Sequence, residues 1–213
     1  MSSIKSLTES ERLAFLFRKL SQNRPEYEEC LPLVKTLLLS THDGIRKQAR
    51  VLTERIPIDH SKKILIPLIG DMYIDTVKFA AIQLGTHKEY SALPKLKKLL
   101  LSEKNPLFLA AILGIEKYDD TTIVPLITEQ LNHPEPYRIE QAILALSRMS
   151  CYKKTSLISP YITHKNDTIG IAALKFGFIK WPKKALKIGL AHFTFETSTK
   201  LLKIFISNLA NHL

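Results

Sequence analysis

The residues able to do chemistry are few and scattered. Seven histidines stand at positions 42, 60, 87, 133, 164, 192 and 212. Three of them, His42, His133 and His164, fall in a short polar turn that recurs along the chain. Recurrence in successive stacked helical units would set them about one helix diameter, ~10 Å, apart. Ligands of one metal ion sit about 2 Å from it, so these read as turn residues and no metal ligand is assigned. The two cysteines, Cys30 and Cys151, lie far apart and in no ligand motif, and they read as small thiols rather than a disulfide or a nucleophile. Paired acids occur at Glu28-Glu29 and Asp119-Asp120, at or near expected helix starts, where carboxylates favour the helix dipole. The chain contains no GxGxxG, phosphate-binding loop, GxSxG or HExxH. No catalytic residue and no cofactor site is assigned, and the reading is of a non-enzyme.

The elements that would position such residues are clearer. An acid or amide recurs at Asp43, Asp75, Asn105, Glu135 and Asp167, spaced 32, 30, 30 and 32. A large hydrophobe follows two residues later: Ile45, Val77, Leu107, Tyr137 and Ile169. Six residues after the anchor come Ala49, Ala81, Ala111, Gln141 (with Ala142 next) and Ala173. A period near 30 residues means stacked supersecondary units sharing one core. Each unit reads as two helices. Pro32, Pro67, Pro94, Pro125 and Pro160 mark the starts of the first helices, where a missing N–H costs nothing. The anchor is expected to cap the second helix through its side-chain oxygen. The helices are expected at 8–22, 26–39, 43–56, 61–70, 75–87, 91–101, 105–117, 121–132, 136–149, 154–164, 167–180, 182–193 and 196–211. No segment alternates like a strand. The fold class is therefore all-α, a right-handed α-solenoid of about six helix pairs forming a single domain over 1–213.

This pattern of early proline, Asp before the second helix, Val/Ile-Arg and a small Ala resembles HEAT repeats, of the short bacterial phycobilisome-lyase type, over roughly residues 25–185. The resemblance implies a ladder of acid and base between neighbouring repeats. It carries over to Asp43 with Arg46, Asp75 with Lys78 and Glu135 with Arg138, and fails at Asn105 with Phe108 and Asp167 with Gly170. It also implies a concave face lined by the second helices. HEAT-like hydroxylases carry His-Glu ligand motifs, which this chain lacks. HEAT-like DNA glycosylases hold a duplex on a basic, aromatic concave face, whereas the corresponding positions here are aliphatic, with Phe79, Tyr137 and Phe178 as their few aromatics. The repeat class alone also suggests a maturation factor for a prosthetic group, but no residue names such a site.

On the side of the second helices that should face water, the first repeat carries Lys47, Arg50 and Glu54, but later repeats are apolar. A helix apolar all round is covered on all sides. Either tight curvature buries this stripe between neighbouring helices, or it forms a groove for a partner helix or peptide. The partner-binding candidates are Phe79, Ile82, Leu109, Ile112, Ile139, Ile171, Leu174 and Phe178, with Arg46, Lys47 and Arg50 as a polar rim. A second copy of the chain could also cover the stripe.

The net charge is +11 over 213 residues. It concentrates after residue 150, where ten lysines face two acids. Lys180, Lys183, Lys184 and Lys187, flanking Trp181, are candidate anion-binding residues and give the alternative reading, a nucleic-acid-binding protein. The excess is all Lys rather than Arg, which suits phosphate recognition less well. No apolar stretch reaches the ~20 residues that span a bilayer. The N-terminus has no apolar signal region, so a cytoplasmic location is expected. The leading reading is a scaffold or adaptor that holds another protein.

Overall fold

The computed structural model describes residues 7–22, 25–154, 156–193 and 199–209. These form twelve α-helices joined by turns and short 3-10 segments, with no strand among the described residues. The helices are α1 Glu9–Leu20, α2 Tyr27–Leu38, α3 Asp43–Thr53, α4 Ile58–Leu68, α5 Ile74–Thr86, α6 Leu93–Leu100, α7 Asn105–Ile115, α8 Val124–Thr128, α9 Pro136–Arg148, α10 Asp167–Lys180, α11 Pro182–His192 and α12 Thr199–Leu209. The ends of the helix expected at 196–211 lie outside the described residues. The contacts divide the chain into two compact units, Met1–Lys117 and Tyr118–Leu213.

The second helices of the pairs begin at Asp43, Ile74, Asn105, Pro136 and Asp167, each 31 residues after the one before. The irregular spacing of the acids thus hides a strict period. Asp75 lies one residue inside its helix and Glu135 one residue before its helix. With the register set by the backbone, the seventh residue of each helix is alanine: Ala49, Ala80, Ala111, Ala142 and Ala173, all with no exposed surface. This position therefore sits on the packed side of each helix, where a larger side chain would have to displace its neighbours.

The acidic anchors do not cap their own helices. The N-caps are His42, Tyr73, Lys104, Glu135 and Asn166, and only Asn166 accepts backbone N–H groups, from Thr168 and Ile169. Asp43, Asp75 and Glu135 pair instead with arginine, as described below. Among the expected prolines, Pro94 and Pro125 open their helices and Pro160 opens its 3-10 segment, but Pro32 and Pro67 stand inside α2 and α4. Pro67 is the penultimate residue of α4, so the bond that it forfeits falls in the last turn.

The first helices shorten along the chain. α2 has 12 residues, α4 has 11, α6 has 8 and α8 only 5 before it tightens into 3-10 turns at Glu129–Asn132. The helix expected at 154–164 is a 3-10 segment, Ser159–Thr163. Its sequence SPYIT puts Pro beside β-branched and aromatic residues, which favours a short tight turn over a regular helix. The second helices keep 11 to 14 residues throughout.

In the first unit, α5 and α7 share the most extensive helix contact. Two glycines explain it. A Cβ on Gly85 would lie 2.0 Å from the Gly114 carbonyl oxygen, and a Cβ on Gly114 would lie 2.6 Å from the Ala81 carbonyl oxygen. Backbone touches backbone along this seam. In the second unit α10 lies against α9, α11 and α12, and Gly177 meets Ala185.

Candidate partner-binding groove

The charged ladder lies in the first unit. Arg46 of α3 donates from Nε to the Asp75 carboxylate at 3.0 Å, from Nη2 to Asp43 Oδ1 at 3.2 Å, and from Nη1 to the backbone oxygens of Ser40 at 2.9 Å and Thr41 at 3.2 Å. Its guanidinium also stacks 4.4 Å from the Tyr73 ring centroid. Arg50 binds the same Asp75 carboxylate. Burial alone would raise the Asp75 pKa, but the hydrogen bonds from Arg46 and Arg50 outweigh it and hold the carboxyl below its usual range. In the second unit Glu135 and Arg138 pair at 3.4 Å. Lys78, expected to pair with Asp75, is exposed, and Arg46 and Arg50 of the preceding pair take its place. Arg46 and Arg50 are thus structural ties, not a binding rim.

The scattered groups that might have done chemistry have similar duties. His133 and His164 each accept, at Nδ1, the backbone N–H two residues on, from Glu135 at 3.1 Å and Asn166 at 3.0 Å. Glu28 receives Lys63 at 2.6 Å and His60 at 2.7 Å, tying α2 to α4. Asp119, in a left-handed conformation at φ 44°, accepts the Cys151 backbone N–H at 3.0 Å and the Ser150 hydroxyl. Burial, and then the Asp119 carboxylate, push the Cys151 thiol up to about 11, so it stays protonated at neutral pH and is a poor nucleophile. No group of three His, Cys, Asp or Glu able to hold a metal occurs among the described residues.

The apolar stripe is partly covered. Ile112, Leu174 and Phe178 are buried, and Phe79, Ile82, Leu109, Ile139 and Ile171 are half-buried. In the first unit α5 and α7 pack closely through the Gly85–Gly114 seam. Of the proposed rim only Lys47 stays exposed. In the second unit Lys180 donates to the Met149 carbonyl at 2.7 Å, while Lys183, Lys184 and Lys187 are exposed on the first two turns of α11.

An open apolar groove of about 660 Å³ lies elsewhere, between α1 and α3. α1 begins at a capping box, in which the Thr8 hydroxyl accepts the Glu11 N–H and the Glu11 carboxylate accepts the Thr8 N–H at 2.7 Å. Leu13, Leu16 and Leu20 anchor its inner face. The two helices run parallel: Glu9 meets His42 at 3.1 Å near their starts, and Arg55 reaches Ser21 at 3.4 Å and the Phe17 ring at 4.7 Å near their ends. Ser10, Ala14 and Phe17 form one wall, and Gly44, Lys47, Gln48, Val51 and Arg55 the other. Phe17 is 54% exposed and Val51 53%. The sequence reading missed this groove. Its signals were the Thr8-x-x-Glu11 box and two large apolar residues on otherwise polar helix faces.

No protein-family model matches the sequence, and no curated protein was found to resemble it. Among solved structures, the chain is similar to the crystal structure of an engineered protein from the Northeast Structural Genomics Consortium. The TM-score is 0.50 at 14% identity, over 88% of this chain and 96% of that one. The likeness concerns the fold alone. No helix among the described residues is long and apolar enough to cross a membrane.

Proposed function

We propose that the chain is a HEAT-type repeat protein, an α-solenoid that serves as a non-enzymatic scaffold and holds a segment of another protein in the α1/α3 groove. The repeat reading is supported by the 31-residue period of the second helices. It is supported also by the long-range side-chain hydrogen bonds, such as Ser40–Glu9, Arg46–Asp75, Lys95–Ile66 and Tyr161–Leu131, which join residues 29 to 31 positions apart. Contacts between units one step apart are what a stacked array makes.

The observation that carries the binding role is the pair of exposed hydrophobes, Phe17 and Val51, facing each other across an open groove. Exposed apolar surface that is contiguous and concave marks interaction sites. The groove offers no paired nucleophile and base, and its polar groups suit recognition. The test is affinity capture with the intact chain and with the Phe17→Ser, Val51→Asp variant, after nuclease treatment. Specific protein partners retained by the first and lost by the second, at unchanged helicity, support the reading. Partners that vanish with nuclease would move the function to nucleic acid and to Lys183, Lys184 and Lys187.

A further inference from the structure

The chemistry of the groove says what kind of segment fits it. None of its lining residues is acidic, and two are cations, Lys47 and Arg55. Neither is in an ion pair among the described residues, in contrast to Arg46 and Arg50 of α3; Arg55 reaches the Ser21 hydroxyl and the Phe17 ring but no carboxylate. Lys47 lies in the second turn of α3 and Arg55 two residues past the helix end at Thr53, so the two cations stand eight positions apart in the chain, toward opposite ends of the groove. Between them lies the apolar floor, with Val51 on one side and Ala14 and Phe17 on the other.

Both walls are helical. Their backbone N–H and C=O groups bond within their own helices, so the groove offers almost none to a peptide. An extended segment laid there would bury unpaired backbone groups, whereas a helix satisfies its own. Ridges at Ser10, Leu13, Ala14 and Phe17 and at Gly44, Lys47, Gln48 and Val51 have the three- and four-residue spacing that accepts a third helix.

We infer that the occupant, on the scaffold reading above, is an amphipathic helix of a partner protein that carries two carboxylates seven or eight residues apart, flanking an apolar patch. The carboxylates meet Lys47 and Arg55, and the patch covers Phe17 and Val51. A second copy of this chain does not supply it. No two of its 20 acidic residues stand seven or eight positions apart.

The probe is a designed, hydrocarbon-stapled helical peptide with Leu at two positions between two Glu eight residues apart, fluorescein-labelled, together with a version bearing Lys in place of both Glu. Binding to the full chain is read by fluorescence anisotropy. The Glu peptide is expected to bind at least tenfold tighter than the Lys peptide, with affinity falling as salt rises. Lys47→Glu with Arg55→Glu is expected to reverse the preference, which a merely damaged groove would not do. Equal binding of both peptides, lost in Val51→Asp, would overturn the charge inference while keeping the groove as a docking site. No binding of either peptide at about 1 mM would overturn the helical occupant. The scaffold reading would then rest on whether the capture experiment still depends on Phe17 and Val51.

Discussion

Two pairs of neighbouring helices in the first unit show opposite solutions to the same packing problem. α5 and α7 meet backbone to backbone, because Gly85, Gly114 and Ala81 put nothing between them. α1 and α3 also touch, but Phe17, Val51, Lys47 and Gln48 on their facing walls leave a groove between them. Small residues close a seam, while larger ones leave a groove. The difference teaches that an apolar stripe is not by itself a binding surface. What matters is how far neighbouring helices cover each residue of it.

The sharpest break in this comparison is Gly85→Ala. The new methyl would lie 2.0 Å from the Gly114 carbonyl oxygen, and that atom cannot rotate away. A cost of about 3 kcal/mol is expected, at the upper end of overpacking penalties, and it is read from the urea midpoint. A loss below about 0.5 kcal/mol would mean that the α5/α7 seam is not closed in solution.

Next in size is Arg46→Met. Removing the guanidinium leaves the Ser40 and Thr41 carbonyls and the Asp75 carboxylate short of donors, and a loss of about 2 kcal/mol is expected. Asp75 adds a pH signature. Its folded pKa is held below the unfolded value, so its contribution is complete above the ordinary carboxylate range and is lost as pH falls through the depressed folded value. Asp75→Asn should therefore be less stable than the parent at neutral pH and converge with it in acid. Parallel stability curves from pH 7 down to about 2 would remove this linkage.

Much of the architecture was legible because helical periodicity and turn chemistry are local. The register is not, because the acids are not its fixed point. Asp75 answers to arginines on the preceding helix rather than to its own helix start, so it drifts by one residue while the buried alanine does not. The site was less legible still. Phe79, Leu109 and Ile112 share one side of their helices on a helical wheel, yet Ile112 is buried and the other two are half-buried, a difference that depends on neighbouring helices distant in sequence. Phe17 and Val51 look unremarkable singly and gain meaning only when α1 lies beside α3.

A third substitution acts on the groove alone. Val51→Asp places a carboxylate at a half-exposed position and should change stability by no more than about 0.5 kcal/mol. It should nevertheless abolish binding of the stapled Glu helix. A large loss of stability would show that Val51 is covered in solution and that the groove is filled.

The smallest effect is the most direct comparison of the two regions. Gly44 lies in the first turn of α3 and on the groove wall, and a Cβ there would meet nothing within 4 Å. Its backbone is not left-handed, so alanine is tolerated and gains helix propensity. Gly44→Ala should stabilise the chain by about 0.5 kcal/mol, since end positions yield less than the interior value, and raise Tm by a few degrees or less. The same glycine-to-alanine change thus has opposite signs at residues 44 and 85. Both signs follow from one quantity, the distance to the nearest atom that the new methyl would meet. If Gly44→Ala destabilised the protein, α1 would have to lie closer to α3 than the groove allows, and the two helix pairs would be packed alike.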